Sequence, residues 1–172
     1  RRLLFPFPRL FRSEAGAWLQ FYRLAYGLAS GLGSEVSIRD ARDLCRGYMK
    51  YSKVELDWPD DAGGAENLSK DAVKVLCNLA AISAGALPRG GKLTVSGSIN
   101  DGSWSFEFNA EGPRAGLREE VTKAIIDGYN EEELTTQNVG AQYMMAIAAN
   151  NGYSVTISRM EDDVMVLSAA SE

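Results

Sequence analysis

Apolar residues recur every three or four positions from Ser13 to about Ser30. Trp18, Phe21, Tyr22, Ala25, Leu28 and Ala29 fall on one aromatic-rich stripe with Arg23 off it, which predicts an amphipathic helix. Ser30–Ser34, reading SGLGS, is a helix stop and a short linker. Such a helix must bury its stripe, either on the rest of the chain or against a second copy. The preceding RRLLFPFPRLF is broken by Pro6 and Pro8 and reads as an irregular apolar arm or as the remnant of something truncated.

A compact α/β pattern follows. Glu35–Ile38 is a short strand, and Ser37 caps a helix to about Lys50 with Ala41, Leu44, Cys45 and Tyr48 on its buried face. Val54, Leu56 and Trp58 alternate as a strand, and 60–66 is a loop. Ser69–Leu87 is a long helix, apolar on nearly all sides from Val73 to Ile82 and therefore central. Leu93, Val95, Gly97 and Ile99 alternate on one strand; Trp104, Phe106 and Phe108 alternate on the next. The Asp101-Gly102 pair between them accepts positive φ and predicts a two-residue hairpin. Leu117, Val121, Ala124 and Ile125 mark a helix stopped near Gly128. Asn138 is placed to cap another, with Tyr143, Met144 and Ile147 facing inward and Asn151-Gly152 closing it. Tyr153–Ser158 and Val164–Ser168 form a last hairpin. The order predicts an α+β sandwich, one mixed sheet with helices on one face. Residues 1–33 are expected to form an arm and a separate helix, and 34–172 the main domain.

Composition narrows the chemistry. The 172 residues carry a net charge of −5, which argues against a nucleic-acid partner, since phosphate binding needs a basic surface. No apolar run approaches the roughly 18 residues of a membrane span, so a cytoplasmic protein is expected. Cys45 and Cys77 have no paired spacing and are expected to be reduced and buried. The sequence contains 0 histidines. That excludes a histidine triad, a histidine metal site and a phosphohistidine carrier within these residues; no catalytic residue, metal ligand or cofactor is assigned.

The segment NLAAISAGALPRGGKLTV, Asn78 to Val95, runs from helix through a Pro/Gly turn into a strand. The order of elements around it resembles the ATP-binding domain of histidine kinases and their relatives gyrase, Hsp90 and MutL. That family holds nucleotide through three motifs. In the first, Asn78-Leu79 and Pro88–Val95 match, but the magnesium-binding Asn falls on Ile82 and the Lys on Gly85. Magnesium prefers oxygen ligands, which isoleucine lacks. In the second, Asp-x-Gly-x-Gly, the adenine-binding Asp falls on Ala110; Gly112 is kept, and the second Gly is Arg114. Glu111 stands one position away, on the opposite side of a strand end. The third is a glycine-rich loop opening a helix, whose N–H groups meet phosphates. Here it keeps one glycine, Gly140.

A narrower resemblance covers roughly residues 13–170. LSKDAVKVLCNLAAISAGALPRGG, LQFYRLAYGLASG and TTQNVGAQYMMAIAANNGYSVTIS are similar to segments of the ChpT-type histidine phosphotransferases. The resemblance implies a homodimer built on a dimerisation helix (Trp18, Phe21, Tyr22, Arg23, Tyr26) and an ATPase-like domain that no longer binds nucleotide. It implies transfer of phosphate from the receiver domain of a hybrid histidine kinase to response regulators, with Arg23 available to an acidic receiver face. In that family the phosphate rides on a histidine in a first helix, absent from the residues given, and the expectation is that this helix lies outside them. The alternative is a non-catalytic dimeric adaptor that docks a kinase or receiver; a working ATPase is the remaining possibility, disfavoured by Ile82 and Ala110.

Overall fold

A computed structural model describes residues 7–27, 35–64 and 66–171, with α1 side chains described from Ser13 onward. The main sheet has five strands in the order β2-β4-β5-β7-β6: β2 (Val54–Asp57), β4 (Gly91–Asn100), β5 (Ser103–Glu111), β6 (Tyr153–Glu161) and β7 (Val164–Ser171). β2 pairs with β4 in parallel and the other pairings are antiparallel, so the sheet is mixed as expected. β5 alternates cleanly: Trp104, Phe106, Phe108 and Ala110 are buried, while Ser103, Ser105, Glu107 and Glu111 are exposed. Period-two alternation leaves one face for water and one for helices.

The helices are α1 (Phe7–Tyr26), α2 (Ile38–Met49), α3 (Lys70–Gly85), α4 (Glu119–Asp127) and α5 (Val139–Asn151). α3 is central, with Val73, Val75, Leu76, Cys77 and Leu79 fully buried and contacts to α1, α2, α5 and the sheet. Ser37 and Ser69 cap α2 and α3, their hydroxyls accepting from the N–H groups of Arg39 and Ala72. Asp101 and Gly102 take φ of 50° and 84°, both left-handed, so the β4–β5 turn is the two-residue type that the strand twist favours.

Four features correct the expectations. The helix does not start at Ser13: α1 begins at Phe7 and includes much of the presumed arm, because Pro8 falls in its first turn, where the missing N–H costs no bond. The strand at 35–37 stays out of the main sheet; β1 (Glu35–Ser37) pairs antiparallel with β3 (Asn67–Ser69), a strand too short to show periodicity. On α2, Arg42 is buried at 4% exposure, whereas Leu44 and Tyr48 are only half-buried. The Arg42 guanidinium bonds the Pro59 carbonyl at 3.2 Å and Asp60 at 3.0 Å, which is how a buried cation is tolerated. Asn138 stands at the N-cap of α5 but makes no cap bond; its amide is used in the preceding loop. The expected linker at 30–34, with Leu28 and Ala29, lies outside the described residues.

Cys45 and Cys77 are both free and fully buried. The hydrogen bond to Cys77, with burial added, pushes the Cys45 thiol well above its ordinary value.

Candidate functional site

α1 packs on α2 and α3 and divides its aromatic stripe in two. Phe21 and Ala25 are fully buried, while Trp18, Tyr22 and Tyr26 stay 40–45% exposed. The Phe21 ring stacks on Tyr48 of α2 with centroids 4.1 Å apart. Tyr22 meets Tyr48 edge-on at 5.9 Å, and the Trp18 indole N–H reaches the Tyr48 carbonyl at 3.3 Å. Burial, then the hydrogen bond with Tyr22, raises the Tyr48 phenol far above its usual range. Arg23 is exposed in the last turn.

Asn78 faces this helix. Its amide N–H₂ donates to the Lys74 carbonyl at 2.9 Å and the Ala25 carbonyl at 3.3 Å. Ala25 lies in the last turn of α1, where carbonyls lack an intrahelical partner; Asn78 supplies one. Its own Oδ1 is buried without a partner.

The other positions of the degenerate nucleotide motifs fall into three places. Ile82 is half-buried on α3 and packs against the core, and Gly85 is exposed at the helix end. Gly85 lines an open cavity of about 320 Å³ together with Trp18, Tyr22, Tyr48 and Ala81. Ala110 is fully buried in β5 between Leu93 and Met165. Beyond it Gly112 abuts the turn before β4: a Cβ there would stand 2.4 Å from the Gly90 carbonyl oxygen. A Cβ on Gly91, whose φ is +148°, would stand 2.2 Å from the Glu111 carbonyl oxygen. Arg114 has φ of +62°, a conformation natural to glycine, and its N–H donates to the Asp163 carboxylate at 2.6 Å. Glu111 is exposed and accepts from Asn109 at 2.7 Å.

The third place is the start of α5. The loop before it is tied by two buried amides. Asn138 accepts from the Thr135 N–H at 2.8 Å and donates to the Glu133 carbonyl at 2.9 Å; Gln142 accepts from the Asn130 N–H at 2.8 Å. Gly140 lies under α1, and the Tyr26 hydroxyl is 3.0 Å from the point a Cβ on Gly140 would occupy. The Tyr26 and Tyr143 ring centroids are 5.1 Å apart. The residues expected on a dimer helix thus meet the first and third motif positions: Trp18 and Tyr22 with Gly85, Ala25 with Asn78, Tyr26 with Gly140. The second motif, with Arg114 tied to Asp163, lies apart from them at the end of β5. Of the residues that surround these positions, Tyr48, Tyr143, Gln142 and Asp163, only Tyr48 and Tyr143 carried a sequence signal, the helical spacing that marks them as inward.

A family model for the histidine phosphotransferase C-terminal domain matches residues 38–163. The chain belongs to that family. Its phosphotransferase members are proteins of two-component signalling. The protein phosphotransferase ChpT of Brucella abortus (strain 2308) is 28% identical over 152 residues, 88% of this chain and 71% of that protein. A solved bacterial phosphotransferase superposes with a TM-score of 0.80 at 28% identity, over 94% of this chain and 77% of that one. The nucleotide-free catalytic domain of the histidine kinase ThkA superposes with a TM-score of 0.58 at 15% identity, over 80% of this chain and 92% of that one. This last likeness establishes a shared fold, the ATPase-like domain of histidine kinases. Among the described residues of this histidine phosphotransferase domain, no group of three His, Cys, Asp or Glu side chains is arranged to hold a metal, and no helix is long and apolar enough to cross a membrane.

Proposed function

We propose that the chain is the scaffold and docking portion of a cytoplasmic histidine phosphotransferase that dimerises through α1. It would pass phosphate between the receiver domain of a hybrid histidine kinase and response regulators, without binding ATP. The observation that carries this reading is the family match over residues 38–163. The side chains at the nucleotide-motif positions support it: Ile82 and Ala110 offer no ligand oxygen, and Arg114 places a long side chain where the motif has glycine.

In such a relay a histidine imidazole attacks the acyl-phosphate of a receiver aspartate. The P–O bond to the carboxylate breaks, a P–N bond forms, and the imidazole loses its proton. The reverse displacement by a second receiver's aspartate completes the transfer. Both phosphorylated species are high in energy, so the protein's task is positioning rather than energy supply. The imidazole would come from a segment outside these 172 residues, which hold 0 histidines. The described domain would present α1, with Trp18, Tyr22 and Arg23 on its open side, to the bundle and the docking receiver.

The intact gene product, mixed with a ³²P-phosphorylated receiver domain, is expected to acquire an acid-labile, alkali-stable phosphoramidate. A receiver that binds while no label moves overturns transfer and supports the second reading, a dimeric adaptor, which the absence of histidine from these residues favours. Calorimetry with Mg-ATP is expected to show no binding; micromolar affinity would overturn the assignment of Ile82 and Ala110.

A further inference from the structure

Gly140, the one glycine kept where the family has its phosphate-binding loop, has the Tyr26 hydroxyl as its neighbour. Where kinase-like domains turn backbone N–H groups toward a nucleotide, this chain lays a phenol ring from α1. The ring is flanked by Tyr143 at 5.1 Å and Tyr22 at 5.9 Å. Its hydroxyl stands 3.0 Å from the site of a Gly140 Cβ, tighter than an ordinary van der Waals contact. At the residue before it, Asn78 holds the Ala25 carbonyl. Both contacts lie at the C-terminal end of α1, the end nearest α3 and α5. The small residue at 140 therefore serves the approach of a helix.

We propose that Tyr26 is a latch. Seated on Gly140 and Tyr143, it fixes the end of α1 over the face resembling a phosphate-binding end, and so sets the angle at which α1 is offered to a receiver. The second half of this statement rests on the phosphotransfer reading; the first does not. Tyr26 is a positioning residue, not a catalytic one, because nothing places it against a reacting atom. A ring held between two others contributes about 0.5–1.5 kcal/mol, so its loss should change local opening between about two-fold and ten-fold.

The test is a mutant cycle on the 172-residue chain, read by amide hydrogen exchange of α1 and of the first turn of α5. Tyr26→Ala is expected to speed exchange in both by about ten-fold. Gly140→Ala is expected to speed it by about three-fold, since the neighbour must yield only a few tenths of an ångström. Tyr26→Phe alone is expected to leave exchange within about two-fold, and in that background Gly140→Ala is expected no longer to speed exchange, because the atom it would press on is gone and the helix propensity of alanine acts the other way. Unchanged exchange in Tyr26→Ala, or a speeding by Gly140→Ala that persists in the Tyr26→Phe background, overturns the latch. In the intact gene product, Tyr26→Ala is expected to lower the transfer kcat by about ten-fold with KM within about two-fold, and Tyr26→Phe to restore it. Normal kcat with loosened α1 overturns the positioning role. No transfer by the wild type overturns the phosphotransfer reading and leaves the exchange result standing on its own.

Discussion

The turn at 88–91 and the start of α5 both keep glycine where nucleotide-binding relatives have it, for different reasons. At the turn the requirement is backbone against backbone. A Cβ on Gly91 would stand 2.2 Å from the Glu111 carbonyl oxygen, and one on Gly112 would stand 2.4 Å from that of Gly90. Neither oxygen can move without opening the β4–β5 ladder, in which Lys92 pairs with Glu111. At α5 the obstacle is the end of a side chain, the Tyr26 hydroxyl at 3.0 Å, which can yield. The first glycines are fixed by the fold, ligand or no ligand; the second is fixed by its neighbour on α1. A surviving motif glycine therefore says little about a ligand until its contacts are known.

Four measurements would break or sharpen this contrast. The largest effect is expected at the turn: Gly91→Ala should cost about 3 kcal/mol in denaturant unfolding, combining backbone strain at φ +148° with overpacking. A cost below about 1 kcal/mol would show that the turn relaxes as easily as the α5 end. Next, Asn78→Ala should cost about 2 kcal/mol, because the Ala25 carbonyl loses its side-chain donor in a buried site. In that variant, amide exchange should report α1 loosening before the rest of the chain unfolds; a single concerted transition would argue against an independently held helix.

The third is a pH effect. The phenols of Tyr26 and Tyr48 and the thiol of Cys45 all have folded-state pKa values raised above those of the unfolded chain. Their contribution to stability is complete below the unfolded values of roughly 9–10 and is lost as pH rises toward the folded ones. Thermal melts should therefore fall above about pH 9, and Tyr48→Phe should flatten the fall. The smallest effect, of opposite sign, belongs to Arg114→Gly. Relief of the left-handed backbone at φ +62° should add about 0.5 kcal/mol while keeping the N–H bond to Asp163. The same variant should not gain Mg-ATP binding, since Ile82 and Ala110 remain; binding would show that Arg114 alone closes the face.

Local chemistry was legible in the sequence. The serine cap at Ser37, the Asp101-Gly102 hairpin and the alternation through Trp104, Phe106 and Phe108 rest on interactions spanning a few residues, and the structure has all of them. What stayed hidden depends on distant partners. The β1–β3 pair joins two three-residue strands 30 positions apart, each too short to carry a period. Asn138 has the composition of a cap, but the loop ending at Thr135 claims its amide first. In the site, helical spacing placed Trp18, Phe21 and Tyr22 on one stripe and could not reveal that Tyr48 would take Phe21 and leave the others half-open. Nor could separate motifs reveal that α1 meets the first and third of them; that follows from the way α1 packs on α3 and reaches α5 through Tyr26.

The sealed thiols of Cys45 and Cys77 have a practical consequence. A maleimide reacts with thiolate, and neither sulfur is exposed to solvent in the folded chain. Native protein should stay unlabelled, and any slow labelling would time the parting of α2 from α3. Leu19 is 65% exposed on the open side of α1. A Leu19→Cys variant would thus take one dye there with no background, turning α1 into a helix that can be watched directly.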